Sequence, residues 1–340
     1  MKRVAGVAAG MTLVVALLSS CGGSTPAASS PPSASTSVAP TAIRIASLKG
    51  PTTMGLVKLM DDADNGTAAE DYTVTMYGTP DEIVPQLTKG EVDVALLPSN
   101  LSSVLYNKLK NGDGQKVEVA AINTLGMLEL VETGTTITSF ADLKGKTIYS
   151  TGKGASPEYI LDYLLKKNGL DPAKDVTVEY KSEPTELAGV LAAQPGAIGV
   201  LPQPFVTVLK SKSPSIRTAL SFNDEWAKVT PDSQTVTGVV VVRKGFLDEH
   251  KDAINTFLDE YKASTEYTNT QPAKAAPLIA KAGILPSAAI AEAAIPACNI
   301  TYIDGAELKT TLSGFLAVLF AADPASVGGS LPGDDFYYQR

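Results

Sequence analysis

Short apolar segments alternate with amphipathic helical segments from Ala42 onward, and this alternation constrains the fold more than any other feature of the sequence. The segment 43–48 (IRIASL) predicts a first strand, and residues 73–77, 91–97 and 117–122 predict three more. Between them, apolar residues recur at spacings of three and four, which is typical of helices packed on a sheet. Alternating strands and helices predict an α/β fold with mostly parallel sheets.

The same pattern returns after residue 126, which predicts a second unit of similar construction. The strands predicted for this unit are 127–131, 146–149, 176–180 and 197–201, and a long β-branched strand is predicted at 234–243. The rest of the chain is predicted to be helical over 246–269, 272–282, 287–295 and 305–320. Aromatic residues at 336–338 predict that the C-terminal stretch is a strap packed on the first unit.

The stretch Tyr149–Glu158 (YSTGKGASPE) predicts a strand, a glycine loop and a helix start. Ser156 is expected to be the N-cap, with Pro157 at the first helical position. Such a start presents unpaired N–H groups and a partial positive charge, so it can hold an anionic or strongly polar group. A tight strand-to-helix turn that binds nothing fits these residues equally well.

Two other predicted helix starts resemble it in position. Residues 79–82 form a capping box, and Ser99 is expected to cap the helix after the third strand. In an open α/β sheet the loops after parallel strands lie on one edge, and ligands bind there. We therefore expect these loops to converge with the glycine loop.

The first residues predict an exported protein. Lys2 and Arg3 precede the apolar run 4–18, and Cys21 follows in a segment (LSSC) that resembles the bacterial lipobox. Residues 1–20 are then a lipoprotein signal peptide. Residues 21–41 are the lipidated cysteine and a flexible tether rich in Gly, Ser, Thr, Pro and Ala. An ordinary cleaved signal peptide with an incidental cysteine is the alternative.

Composition and motifs disfavour several function classes. The chain has 28 basic and 36 acidic residues, which disfavours nucleic-acid binding. His250 is the single histidine, so a Ser-His-Asp triad and a histidine metal site are excluded. Cys298 is expected to be a buried small hydrophobe. The glycines at 145 and at 152–154 match neither a P-loop nor a dinucleotide fingerprint. We predict no catalytic residue, no metal and no cofactor.

Several segments, taken in order, resemble the solute-binding lipoproteins of ABC importers, in the branch for nitrate, sulfonate, taurine and thiamine precursors. These segments are Lys49–Thr52 (KGPT), Gly90–Ala95 (GEVDVA), Asp142–Ile148 (DLKGKTI), the glycine loop and Leu201–Pro204 (LPQP). The resemblance covers nearly all of residues 42–340. It implies the type II periplasmic-binding fold, in which two α/β lobes joined by two crossing hinge strands close on a ligand like a Venus flytrap.

The resemblance also implies boundaries and partners. Lobe one would be 42–123 plus 240–340, lobe two would be 127–236, and the hinge would lie near 123–126 and 235–238. The protein would be a monomer and no enzyme. Anchored by lipid on the extracytoplasmic face of the bacterial membrane, it would capture a sulfonate, nitrate or related oxyanion and deliver it to a permease and ATPase. The alternatives are a thiamine-precursor pyrimidine or similar heterocycle as ligand, or a surface sensor or interaction module.

Ligand contacts in this family usually come from the loops after its strands. The predicted ligand-binding residues are therefore Gly50, Pro51, Thr52, Thr53, Tyr77, Thr79, Pro98, Ser99, Asn100, Asn123, Thr151, Gly152, Lys153, Gly154, Ser156 and Gln203. Lys49 or Lys153 could supply charge to an oxyanion, and Tyr77, Tyr149 or Trp226 could stack on a flat ligand. The absence of an arginine from these loops disfavours a bidentate clamp on a carboxylate or phosphate.

Overall fold

The computed structural model describes residues 39–110 and 116–340. The predicted signal peptide, the lipidation site at Cys21 and nearly all of the predicted tether lie outside these residues. Within them the chain forms a mixed α/β fold with two sheets, one of six strands and one of five. The predicted α/β class is confirmed.

The described residues form eleven strands. They are β1 (Ala42–Leu48), β2 (Asp71–Tyr77), β3 (Val94–Pro98), β4 (Val117–Leu125), β5 (Leu128–Glu132), β6 (Thr147–Ser150), β7 (Thr177–Tyr180), β8 (Ile198–Pro202), β9 (Arg217–Ser221), β10 (Val236–Arg243) and β11 (Ile300–Ile303).

The helices connect these strands and fill the C-terminal part of the chain. They are α1 (Pro51–Met54), α2 (Val57–Asp64), α3 (Pro80–Lys89), α4 (Ser99–Leu109), α5 (Ser156–Lys167), α6 (Pro184–Ala193), α7 (Phe205–Lys212), α8 (Phe222–Val229), α9 (Lys244–Glu249), α10 (Lys251–Thr270), α11 (Pro272–Lys281), α12 (Ala288–Ala294) and α13 (Gly305–Ala322).

The six-stranded sheet has the order β11, β4, β10, β3, β1, β2, and the five-stranded sheet has the order β7, β6, β8, β5, β9. We name the parts of the chain built on them the six-stranded lobe and the five-stranded lobe. The chain leaves the first sheet at Leu125, enters the second at Leu128 and returns into β10 at Val236. The exact lobe boundaries and the hinge positions stay predictions.

Both sheets are mixed, so the prediction of mostly parallel sheets was wrong. Strand β1 pairs in parallel with β2 and β3, and β6 pairs in parallel with β7 and β8. Strand β10 is antiparallel to β3 and β4, and β5 is antiparallel to β8 and β9. Strands β5 and β10 each follow a crossing between the lobes. Each therefore begins at the side of its sheet that faces the other lobe, where the parallel strands end, and runs in the opposite direction to them.

Some elements differ from the sequence prediction. Strands β9 and β11 were not predicted, because both lie at a sheet edge and their burial does not alternate. Helix α8 was also not predicted. The helix predicted over 246–269 is interrupted at His250, which separates α9 from α10. The predicted loop after β1 contains the short helix α1, with Pro51 at its first position.

Aromatic packing joins the two lobes away from the strand ends. The Trp226 ring of α8 lies 4.7 Å from the Tyr163 ring of α5 and 5.5 Å from the Phe315 ring of α13. Trp226 is 1% exposed, so it is a core residue and does not stack on a ligand in the cleft. Helix α13 is the one described helix long and apolar enough to cross a membrane by length and composition. Its buried residues Leu308, Leu312, Phe315, Leu316 and Leu319 belong to this protein core.

The C-terminal stretch packs on the six-stranded lobe, as predicted. Phe336 is fully buried, and Tyr337 forms a parallel bridge to Val119 of β4. The N–H of Tyr338 donates to the carbonyl of Val119 at 2.9 Å. Cys298 is also buried, and burial raises the pKa of its thiol, as expected for a small core residue.

One buried carboxylate, Asp93 just before β3, links β1 and β10, the strands on either side of β3 in the six-stranded sheet. The side chain of Asp93 is 1% exposed and accepts hydrogen bonds from Arg44 Nε at 2.8 Å and Arg44 Nη2 at 2.7 Å. Arg243 Nη2, at the end of β10, donates to the same carboxylate at 2.8 Å. Although burial opposes ionisation, the two guanidinium groups hold the pKa of Asp93 below its usual range.

We expect Asp93→Asn to lower the free energy of unfolding at pH 7 by about 2–3 kcal/mol, because it leaves two arginines without their shared anion. A lowered folded-state pKa contributes stability above the unfolded pKa of about 3.9, and this stability is lost as the pH falls through the folded pKa. The deficit should therefore shrink below about pH 4. Urea unfolding at pH 7 and below about pH 4 measures the difference in unfolding free energy between the variant and wild type. Asp71→Asn, at an exposed position of β2, is the control; an equal loss there would contradict the account.

Candidate functional site

A cavity of about 610 Å³ lies between the strand ends of the two lobes. The six-stranded lobe contributes the loops after β1, β2 and β3, and the five-stranded lobe contributes the loops after β6, β7 and β8. Met127 and Thr237 line the cavity beside the two crossings. The walls meet closely at the far side, because a Cβ at Gly78 would lie 2.5 Å from Glu183 Oε1 of the opposite lobe. In the described conformation the two lobes therefore approach each other closely at Gly78 and Glu183.

Half of the predicted ligand-binding residues line this cavity. They are Pro51, Thr52, Thr79, Pro98, Thr151, Gly152, Lys153 and Gly154. These residues come from four different strand-to-helix loops, which the sheet topology brings to facing edges. The remaining predicted residues are not among its lining residues.

Five of those remaining residues serve the local structure. Gly50 has a φ of 144° and its carbonyl accepts from the N–H of Met54 at 3.0 Å. Thr53 Oγ1 donates to the carbonyl of Leu48 at 2.6 Å, and Tyr77 Oη donates to Gln86 Oε1 at 2.8 Å.

The other two of these five belong to the strands beside the crossings. Asn123 Oδ1 accepts from Thr124 Oγ1 at 3.0 Å, next to the close backbone approach at Gly238. Gln203 Nε2 donates to Glu129 Oε1 at 2.8 Å, and Gln203 Oε1 accepts from Thr207 Oγ1 at 2.8 Å. Both side chains are buried, and Asn123 Nδ2 has no hydrogen-bond partner among the described residues.

The predicted caps Ser99 and Ser156 are instead the first residues of their helices. The N-cap positions belong to Pro98 and Ala155, whose side chains cannot cap. The two serine hydroxyl groups bond across the lobes: Ser156 Oγ donates to Asn100 Oδ1 at 3.0 Å. No side chain caps the first turn of α4 or of α5.

Positive charge dominates the lining of the cavity. Lys49 belongs to the six-stranded lobe, Lys153 and Lys181 belong to the five-stranded lobe, and Asp81 is the acidic residue of the lining. Lys153 Nζ lies 5.8 Å from the ring centre of Tyr180. In the described part of the chain no carboxylate forms an ion pair with Lys49 or Lys153, whereas Lys181 lies 3.7 Å from Glu179.

The end of β7 and the loop after it supply Tyr180, Lys181 and Ser182 to the cavity, and none of these residues was predicted from the sequence to bind ligand. The signal was present, since this loop also follows a parallel strand and precedes a helix. The rule applied to the other loops would have found it. Phe205, at the start of α7, is a second missed lining residue. Tyr149, one of the stacking candidates, instead lies 5.2 Å from Lys181 Nζ and does not line the cavity.

Two acidic residues of α5, Glu158 and Asp162, follow the glycine loop in the chain. Glu158 accepts a hydrogen bond from the N–H of Gly154 through Oε2. Burial raises the pKa of Asp162 to about 6, and the neighbouring charge of Glu158 adds to this rise. Burial and the same two carboxylates raise the pKa of Tyr180 above its ordinary value. The described residues contain no cluster of His, Cys, Asp and Glu that could hold a metal ion.

Residues 77–275, more than half of the chain, match the family model described as NMT1/THI5 like. The chain belongs to the NMT1/THI5-like family. The match includes the glycine loop, the loop after β7 and the start of α7. No curated protein matches this NMT1/THI5-like chain.

Solved structures with the same fold cover most of this NMT1/THI5-like protein. A protein called an ABC transporter, from Parabacteroides distasonis, is 26% identical with a TM-score of 0.71, over 88% of this chain and 99% of its own. The periplasmic aliphatic sulphonate binding protein SsuA from Escherichia coli is 16% identical with a TM-score of 0.66, over 88% and 96%. The periplasmic nitrate-binding protein NrtA from Synechocystis PCC 6803 is 11% identical with a TM-score of 0.57, over 71% and 66%. The predicted two-lobe type II periplasmic-binding fold is confirmed.

We expect Asp162→Asn to raise the free energy of unfolding of this NMT1/THI5-like protein at pH 7.5 by about 1 kcal/mol, after allowance for solvent screening. The folded-state pKa of about 6 lies above the ordinary 3.8. The charged carboxylate therefore lowers stability above that pKa. The gain should vanish near pH 4, where wild type is protonated in the folded state. Urea unfolding at the two pH values measures it, and a gain that persists at pH 4 would contradict the assigned cause.

Proposed function

We propose that this protein is the extracytoplasmic solute-binding component of an ABC importer and that it captures an organic anion in the cleft between its lobes. The observation that carries the proposal is the placement of lysines on both walls of the 610 Å³ cavity, Lys49 on one lobe and Lys153 and Lys181 on the other. An anion between these walls would attract both lobes. A ligand that contacts both lobes shifts a hinged protein toward its closed state.

The volume of the cavity favours an anion with a sizeable body. Ligand pockets of about 300–1,000 Å³ bury most of the surface of a drug-sized molecule, whereas nitrate has four heavy atoms. Leu101, Met127 and Phe205 also line the cavity, so part of the ligand would contact apolar groups. We therefore favour an organic sulfonate or carboxylate over nitrate.

The fold neighbours are consistent with this assignment. SsuA carries the name of an aliphatic sulphonate binding protein, and the Parabacteroides distasonis protein carries that of an ABC transporter. In the proposed role the closed protein delivers its ligand to a permease and ATPase, and lipid on Cys21 holds the protein at the outer face of the membrane. The proposal assigns no reaction, no metal and no cofactor to the chain.

A flat heterocycle such as a pyrimidine is the second candidate ligand. The observation that favours it is the pair of rings, Tyr180 and Phe205, on the wall of the five-stranded lobe. A neutral ring would stack there without needing the lysines. The charge of the ligand therefore separates the two candidates.

The first test is a thermal-shift panel of alkyl and aryl sulfonates, carboxylates, nitrate and aminopyrimidines. A ligand at a hundredfold excess over its Kd stabilises the folded state by about 2.7 kcal/mol. We expect the organic anions to give the largest shift. The largest shift from an aminopyrimidine would favour the heterocycle, and the absence of any shift would argue against the role of solute receptor.

For the organic anion with the largest shift, we expect Lys153→Ala to raise the Kd about tenfold, which corresponds to a loss of about 1.4 kcal/mol. The reason is the loss of a cation that forms no ion pair with a carboxylate among the described residues. Isothermal titration calorimetry measures the change. Lys146→Ala, at an exposed position just before β6, is the matched control and should leave the Kd unchanged. Equal Kd values for both variants would remove Lys153 from the site.

A further inference from the structure

A buried side-chain amide joins the two lobes directly beside the cavity. Asn100, in the first turn of α4, donates through Nδ2 to the carbonyl of Gly154 at 3.2 Å and to the carbonyl of Ser326 at 3.0 Å. Its Oδ1 accepts from Ser156 Oγ at 3.0 Å. One amide of the six-stranded lobe thus holds the glycine loop, the first residue of α5 and the C-terminal stretch.

A second side chain of the same turn extends this contact. Ser99 Oγ lies 3.3 Å from Ser156 Oγ and donates to the carbonyl of Val236, where β10 begins. Ser99, Asn100 and Ser156 are all fully buried. The contact therefore lies at the crossing side of the cleft. The close approach of Gly78 to Glu183 lies between the edge-strand loops, at the opposite side.

The residues next to this contact line the cavity. Pro98 and Leu101 flank Asn100 on the side of α4, and Gly154 and Pro157 flank Ser156 on the side of α5. Separation of the lobes at this point would leave one amide hydrogen and the amide oxygen of Asn100, the hydroxyl group of Ser156 and the carbonyl of Gly154 to find new partners. A buried polar group left without a partner costs about 1–3 kcal/mol, so the contact resists separation.

We propose that Asn100 is a positioning residue that clamps the glycine loop and the start of α5 to α4, so that the two walls move about this point when the cleft opens and closes. The clamp would fix the distance between the wall that carries Lys153 and the wall that carries Pro98, and would leave the side at Gly78 as the mouth. The inference rests on the proposed function in taking the cavity as the ligand site. It explains why three residues predicted to bind ligand are buried beside the cavity.

Asn107 provides a matched control on the same helix. Its Nδ2 donates to the carbonyls of Val327 at 2.8 Å and Ser330 at 2.6 Å, both in the C-terminal stretch. It makes no hydrogen bond to the five-stranded lobe within the described residues. Asn107→Ala therefore removes a similar anchor of α4 without touching the contact between the lobes.

The test is amide hydrogen exchange of the full chain without added ligand, so that it does not depend on the identity of the solute. We expect Asn100→Ala to speed exchange about tenfold in residues 152–158, which corresponds to the loss of one or two net hydrogen bonds. Asn107→Ala should leave this segment unchanged and speed exchange in residues 326–330. Unchanged exchange at 152–158 in Asn100→Ala, or a uniform increase through both lobes, would overturn the proposal.

A second variant keeps the test decisive if Asn100→Ala does not fold. Ser156→Ala removes one hydroxyl group and leaves both donations of Asn100 in place, so we expect about a threefold increase in exchange at 152–158. Ser156→Thr, which restores a hydroxyl, should return exchange toward wild type, and failure of this rescue would overturn the proposal. If these results hold while no organic anion binds, the clamp stands and the proposed ligand class fails.

Discussion

The fold depends on one strand that must fit between two others. Strand β10 runs antiparallel between β3 and β4, is buried along nearly its whole length, and brings the chain back from the five-stranded lobe. A Cβ at Gly238 would overlap Asn123 Oδ1, so glycine is needed where the three strands approach most closely. Arg243, at the end of β10, reaches the Asp93 carboxylate. Because β10 is fixed at both points, the strand-end loops of the two lobes face each other.

The facing loops divide their polar groups between two tasks. Groups at the loop tips, such as Lys49 and Lys153, lie on the cavity and provide positive charge from both walls. Groups in the first turns of the following helices, such as Asn100 of α4 and Ser156 of α5, are buried and join the walls to each other. A cleft that binds by closing requires both. A charged ligand that contacts both walls favours the closed state, and a fixed contact between the walls defines their relative position in that state.

The sequence was sufficient for the α/β class, for most strands and for the loops that meet at the cleft, because the apolar period and the glycine and proline signals are local. It placed Ser156 in the correct loop but gave it the wrong role. A serine before proline at a helix start has the pattern of a cap, and only the tertiary partner Asn100 shows that its hydroxyl is used elsewhere. The edge strands β9 and β11 were missed for a related reason, since their residues pair with distant strands and lack a period of their own.

The most direct test of the central claim is native mass spectrometry of the full chain, expressed in a bacterium and purified without refolding. The account predicts a one-to-one complex with a small organic anion, released by mild activation and lost in a Lys49→Ala, Lys153→Ala double variant that otherwise keeps the same charge-state distribution. A bound species that survives equally in the double variant, or a protein that stays unliganded even after incubation with the sulfonate and carboxylate panel, would contradict it.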